Sequence, residues 1–515
     1  MAQNKLPVTS SFIFGGMDET GDSVDVGVAG ESDHVQERTY TGCVEVINCD
    51  IDTDLNALSR DGYTKLVLTN GDVVVNSAWS NVNQTFCVLD DGFLYKLEGN
   101  TLTQISSVYL NFVVEFVQVN DVVVFTDYNV IGIIDQTYNV TMIASPNESI
   151  DIQDLKSWVL AHATTDPSQP FGNIEVNPYN ITTFAGGGLC YFNVMLYLSI
   201  DNFVYCTKAM NLEQMDVRYN IVGGFDDTIT MIKAVTDGLY IGTNKSTFFL
   251  AGSKVASHDE SMMSVNRGFT QRKLLPFGPY YGADIYLPAD NVGVIKATDM
   301  GILFVCSDGI YVGISGGVCT DLTNNRIQIP DRNFCTSLVR LHGKTWQYIV
   351  CIGTETIVVN LVNGLHSLFT NYTFNNFYRA TDSDSSLANY FGVSSTGIYQ
   401  LIGSTDDGAV IQAYVTTPTV DFGVPKRKNC SDAYIHARTT GALFVDIIVD
   451  ETITFTNIPF GAPNNVLNTV RRLRAKLPKG VRGTNWQFKI HNGTLNSSFS
   501  LFSLTVSPVE SLRSI

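Results

Sequence analysis

Residue types capable of chemistry are present in this chain, but their spacing assembles no known catalytic set. Gly313-Ile314-Ser315-Gly316-Gly317 satisfies G-x-S-x-G, the pattern that raises a serine nucleophile on a strand-to-helix turn. Its flanks IYVG and VCTDL both read as strands, so a hairpin turn is expected there. Asp50, Asp52 and Asp54 alternate as in a calcium loop, yet Leu55 replaces the turn glycine and the twelfth position falls on Asp61 rather than a bidentate glutamate. Asp382 and Asp384 begin a similar loop whose twelfth residue, Val393, cannot ligate. The seven histidines form no H-x-x-x-H or H-E-x-x-H pair. Asp90–Asp91, Asp226–Asp227 and Asp406–Asp407 adjoin turns, where an aspartate bonds its own backbone. Glycines 186–188 precede a strand, not a helix, so they cannot present helix N–H groups to phosphate. A glycosidase pair of carboxylates is made by folding rather than by spacing, which leaves polysaccharide cleavage as the one enzymatic alternative. The reading is therefore of a non-enzymatic protein with no catalytic residue, metal site or cofactor assigned.

Two basic clusters stand out instead: Arg471, Arg472, Arg474 and Lys476, and Lys426, Arg427 and Lys428. They lie in a chain of net charge −18, with 32 basic against 50 acidic residues, which as a whole repels nucleic-acid phosphate. The charge is segregated. Residues 415–515 hold 12 basic and 6 acidic residues, and the first 414 hold 20 and 44. The clusters are read as protein interface candidates, suited to an acidic face such as that of a neighbouring subunit.

The elements that must carry these residues are strands. At 515 residues and 44% hydrophobic content the chain has ample core for two or three domains or one large ring with a satellite. The ten cysteines, scattered through apolar runs without a C-x-x-C, read as buried reduced thiols. No signal peptide or bilayer-length apolar run is read, so a soluble, non-secreted chain is expected. A loose repeat recurs every 40–50 residues: CVLDDGFLYKLEGNTLTQI (87–105), AVTDGLYIGTNKSTFFLAG (234–252) and FVCSDGIYVGISGGVCTDL (304–322), with weaker copies at 122–136, 193–207 and 346–361. Units of this kind, each a small antiparallel sheet, predict a β-propeller of six or seven blades over residues 63–414, with a pair of β-sandwiches as the rival. One amphipathic helix is expected over 150–163, capped by Ser149, within an insertion at 149–188 read as an inter-subunit or channel-facing element. Residues 1–62 are read as an amino-terminal arm with the first propeller strands. Alternating strands over 415–515 predict an antiparallel β-sandwich. The fold class is thus all-β.

Two segments carry a resemblance. GCVEVINCDIDTDLNALSRDGYTKL (42–66) is similar to the "A-x-N-V-D-I-D … G-x-L-x-R-R-x-G-Y" entry of tailed-phage propeller proteins, matching at Asn48, Asp50, Asp52, Leu58, Arg60, Gly62 and Tyr63 but lacking one glycine and one arginine. At the other end Asp421-Phe422-Gly423, the Lys426–Lys428 run, residues 433–450 and KGVRGTNWQFKIHNG (479–493), with Trp486, resemble the terminal sandwich of the same proteins. The resemblance implies the virion propeller group that includes the tail nozzles, or tail hubs, of short-tailed phages. It implies a structural protein of the virion tail, assembled in the host cytoplasm as a homo-oligomer, a hexamer, below the head–tail adaptor protein. Tail fibre or needle proteins would be further partners, and DNA would pass without specific binding. The alternative is a receptor-binding tail protein that holds host-surface glycan through propeller loops, with Pro279-Tyr280-Tyr281 as an exposed aromatic cluster.

Overall fold

Short runs of β-branched and aromatic residues broken by Asp/Asn/Gly turns dictate hairpins, and hairpins are what the computed structural model contains. Between the Thr85–Leu89 and Leu94–Glu98 strands, Asp91 accepts the Phe93 N–H at 2.9 Å, and Gly92 takes φ 78 in contact with the Tyr109 ring. Only glycine fits that turn without strain. The structure describes residues 9–17, 25–28, 37–71, 73–81, 84–110, 114–127, 130–144, 187–207, 212, 221–252, 269–282, 284–287, 301–323, 327, 329–330, 335–343, 345–381, 388–423, 426–461, 469–494 and 497–510. Among the described residues all regular structure is strand. The helix expected over 150–163 lies outside them, as does the Asp382/Asp384 loop.

Seven four-stranded antiparallel meanders follow one another, over residues 75–104, 115–144, 187–224, 229–275, 285–321, 336–369 and 376–400. Each is blade-like. The seventh takes its fourth strand from far upstream: Thr64–Lys65 pairs with the Gly397–Gln400 strand, Lys65 opposite Tyr399. The sixth continues past its fourth strand into the sandwich.

Packing explains why the inner strands read as continuous apolar runs, since both faces are covered. In the Val122–Thr126 strand, Val123 and Phe125 pack with Phe86 and Val88 of the first meander, while Val124 turns to Leu196 and Leu198 of the third. Tyr197 of the third meets Ile232 and Leu250 of the fourth, and Tyr240 and Phe249 of the fourth meet Phe304 of the fifth. Val305 and Val312 pack with Tyr348 and Val350, and Ile349 and Val358 with Phe377 and Tyr399. Tyr378 and Ile398 of the seventh then pack with Cys87 and Leu89 of the first. Truncating a fully buried ring here, such as Phe86 or Phe125, costs about 3–5 kcal/mol.

The carboxyl-terminal strands form two sheets. One orders Asp25–Val28, Glu37–Cys43, Thr9–Met17, Phe499–Glu510, Lys428–Thr439 and Arg471–Lys476, so the amino-terminal arm is built into the sandwich rather than into a first blade. The other runs unbroken from the sixth meander through Glu45–Ile47 to Tyr414–Thr416, Trp486–His491, Phe444–Val449 and Thr452–Pro459. The boundary expected at 414/415 therefore falls inside a strand. Alternation fixes the register: Trp486, Phe488 and Ile490 are buried against Phe12 and Phe14, and Gln487, Lys489 and His491 face outward.

Candidate functional site

The residues that carry the resemblance meet where the meanders join the sandwich. Arg60 is buried, and each of its five N–H donors has an acceptor: Nε gives to Asn48 Oδ1 at 2.9 Å, Nη1 to Asp406 Oδ1 at 2.7 Å and the Asp61 carbonyl at 3.0 Å, and Nη2 to Asp406 Oδ2 at 2.6 Å and the Thr370 carbonyl at 2.9 Å. Its guanidinium also lies 4.9 Å from the Tyr372 ring centre and 5.3 Å from that of Phe369. Asn48, at φ 53, gives its amide to Thr370 Oγ1 and the Gln412 carbonyl. One arginine thereby ties the arm, the sixth meander and the 405–410 hairpin. Gly62 is obligatory beside it, because a Cβ there would stand 1.9 Å from the Thr405 carbonyl oxygen. Tyr63 packs edge-on against Tyr372, Phe374 and Tyr399, which seats the Thr64–Lys65 strand.

A second ionic group adjoins this joint. Asp50, buried, accepts from Gln347 Nε2 at 2.8 Å; its Oδ2 stands 3.7 Å from Arg340 Nη2 and 3.6 Å from His342 Nε2. His342 Nδ1 lies 3.2 Å from Asp61. The hydrogen bond to Asp61, aided by the Asp50 charge and opposed by burial, holds the His342 pKa above its ordinary value. Burial pushes the Asp61 carboxyl up, but His342, Arg340 and Arg60 outweigh it and hold it below the usual range. Asp52 is consumed by its turn: Oδ1 accepts from the N–H groups of Asp54 and Asn56, and Oδ2 from the Asn56 amide. Among the described residues no group of three or more His, Cys, Asp or Glu could hold a metal.

At the carboxyl end the motif residues are also internal. Trp486 is fully buried and gives its indole N–H to the Gly483 carbonyl at 3.1 Å. Asp421 accepts the Gly423 N–H at 2.7 Å in a turn where Phe422, at φ 52, drives its ring into the core and Gly423 has φ 71.

The interface candidates divide. Lys426 and Arg427 are exposed, but Lys428 is buried, with Nζ on the Lys426 carbonyl and over the Phe422 ring, so it cannot be a surface contact. Strand alternation puts Arg471 on the face of Leu473 and buried Ala475, and Arg472, Arg474 and Lys476 on the exposed one. Arg474 is paired with Asp432 at 2.6 Å, and Arg472 stacks 4.2 Å from the Tyr434 ring centre.

The starts of six of the meanders line an open polar pocket of about 140 Å³. Within it Lys233 pairs with Asp284 at 2.7 Å, and Glu115 accepts from Tyr281 Oη at 2.8 Å and the Leu189 N–H at 2.8 Å. Burial works against the Lys233 charge, but Asp284 and Glu115 keep it protonated, well above the ordinary lysine range. Tyr281 is thus turned to the interior and Pro279 is buried, so this segment presents no exposed aromatic cluster. The Gly313–Gly317 pattern spans the end of a strand and the turn into Val318–Asp321, with φ 79 and 64 at Gly316 and Gly317. All ten cysteines are free thiols and nine are buried; burial pushes Cys87 up to about 12 and Cys351 to about 11.

No protein-family model matches the chain, and no curated protein matches it. Similar solved structures include the extracellular domain of the putative hybrid two component system BT4673 from B. thetaiotaomicron (11% identical, 66% of this chain and 40% of that one, TM-score 0.38). They also include BBS1N in complex with ARL6DN (9%, 66% and 96%, 0.37) and the N-terminal domain of Nup159 (10%, 70% and 98%, 0.35). The chain spans about two fifths of the BT4673 domain's length. At these TM-scores the architecture rests on the chain's own registers and packing.

Proposed function

We propose that this chain is a non-enzymatic tail protein of a phage virion, a seven-bladed β-propeller fused to a β-sandwich that assembles as a ring-shaped nozzle below the head–tail adaptor. One observation carries the reading: the residues of the resemblance, Asn48, Arg60, Gly62, Tyr63, Phe422 and Trp486, are those used to lock propeller to sandwich and to fill the sandwich core. A motif maintained for mechanical fusion fits a protein whose work is geometric. Seven meanders in succession, with the seventh packed on the first, support the seven-bladed count. The polar pocket, at about 140 Å³ and crossed by the Lys233–Asp284 pair, is no passage for a DNA duplex. Any DNA channel therefore lies between copies, six of them by the resemblance, and the net-acidic propeller gives passing phosphate little reason to bind.

Sedimentation of the purified chain with and without head–tail adaptor complexes tests this. Co-sedimentation with the adaptor at six chains per complex is expected. A chain that ignores the adaptor and binds host-surface glycan as a trimer would transfer the assignment to receptor recognition.

A further inference from the structure

Two exposed surfaces of opposite charge are left unpaired within one copy. The first is the outer face of the Lys428–Thr439 and Arg471–Lys476 strands. Arg474 there is matched by Asp432, but Arg438, Arg472 and Lys476 are exposed and make no ion pair among the described residues. The Arg471–Lys476 strand is also the last of its sheet, so this face ends on an edge. The second surface lies on the meanders. Asp201, Asp308 and Glu355 each sit in, or directly after, the turn joining the second strand of a meander to the third, in the third, fifth and sixth meanders. All three carboxylates are exposed, and among the described residues none has a cation partner; the same turn of the fourth meander carries Lys245, which is paired with Asp227. In a ring of like-oriented meanders, turns of this one class share a face.

We infer that the sandwich face bearing Arg438, Arg472 and Lys476 docks on the acidic turn face bearing Asp201, Asp308 and Glu355 in a second copy of the chain. This rests on the ring reading given above and names its contact. The occupant is a second copy because each copy carries both patches and their charges are complementary. Both surfaces stay open in the folded chain, so they do not satisfy one another internally. A contact between two different patches is heterologous, and repeated by rotation it closes a ring. Desolvating like charges on each patch is unfavourable until the complementary patch arrives, which gives the contact its register and its salt dependence.

The test uses the full chain in two triple variants: Arg438→Glu/Arg472→Glu/Lys476→Glu, and Asp201→Lys/Asp308→Lys/Glu355→Lys. All six positions are exposed, so both variants should stay folded, with melting temperatures lowered only by the lost Arg472–Tyr434 stack in the first and by lysine at the left-handed Asp201 and the lost Tyr311–Asp308 hydrogen bond in the second. Sedimentation at about 50 mM salt should show each variant alone associating at least about tenfold more weakly than wild type, with the wild-type advantage shrinking at about 500 mM. Mixed one to one, the variants should regain association, because alternating copies again place opposite signs at every contact. Wild-type association by both variants, a mixture that stays dissociated, or a wild type that is monomeric throughout would overturn the docking. So would a DNA duplex bound by wild type and released by the first variant, which would give the face to phosphate. Rings formed by both variants would remove this contact while leaving the nozzle reading intact; a wild type that binds no adaptor would remove the reading itself.

Discussion

At the scale of single residues, the account turns on Arg60. Its carboxylate partner Asp406 is buried with it, so removing the arginine strands a buried negative charge. Arg60→Met is expected to cost about 3–5 kcal/mol in denaturant unfolding, and adding Asp406→Leu should recover much of that. Arg60→Lys should behave like the methionine variant, since an ammonium cannot reproduce a five-donor fork. His342 gives the joint a pH dependence. Its pKa is raised in the folded state, so its contribution is fully present below its ordinary value of about 6.5 and is lost as pH rises through the folded value. Asp61, lowered, contributes above about 3.8 and loses that contribution as pH falls through its folded value. Thermal midpoints should therefore decline as pH rises above about 6.5, and His342→Gln should flatten that decline; an unchanged slope would show that His342 is not its source. Asn48, Arg60 and Gly62 were marked in the sequence only through the resemblance. Asp406 reads in the sequence as a turn aspartate bonding its own backbone, whereas both its carboxylate oxygens are taken by Arg60, and Thr370 carries no mark there; an aspartate in a TDDG turn looks like any turn residue until its distant partner is placed beside it.

At the scale of elements, the inner strands were readable because two-sided burial writes itself as runs such as VVVF and GLYIGT. The closing strand was not. Thr64–Lys65 is two polar residues long, and its place beside Gly397–Gln400 comes from the Tyr63 aromatic contacts and the Gly62 turn, neither of which leaves a periodic pattern. The arm was misplaced for the same reason: Thr9–Met17 pairs with Phe499–Glu510, at the far end of the chain, and pairing at that separation has no local signature. The Val75–Ser80 strand carries no apolar run, since Ser77 and Ser80 are polar yet paired in the ladder and Asn76 sits at its register shift. Gly62→Ala tests the closing element. A Cβ 1.9 Å from the Thr405 carbonyl must push Tyr63 and the strand after it outward, and a loss of about 3 kcal/mol is expected, with faster hydrogen exchange at 397–400. Unaltered exchange there would mean that this strand does not depend on the Gly62 turn.

At the scale of the whole molecule, the sixth meander and the carboxyl-terminal strands share one nine-stranded sheet, so they should move as a single body. A single rigid body is what the proposed ring requires of each subunit. The most direct measurement is electron-microscope class averaging of the chain alone and assembled on head–tail adaptor complexes. The account predicts sixfold rings with an open centre, in which each subunit shows a smaller ring of blades beside a sandwich. Monomers or trimers that bind host cells and leave the adaptor bare would contradict it.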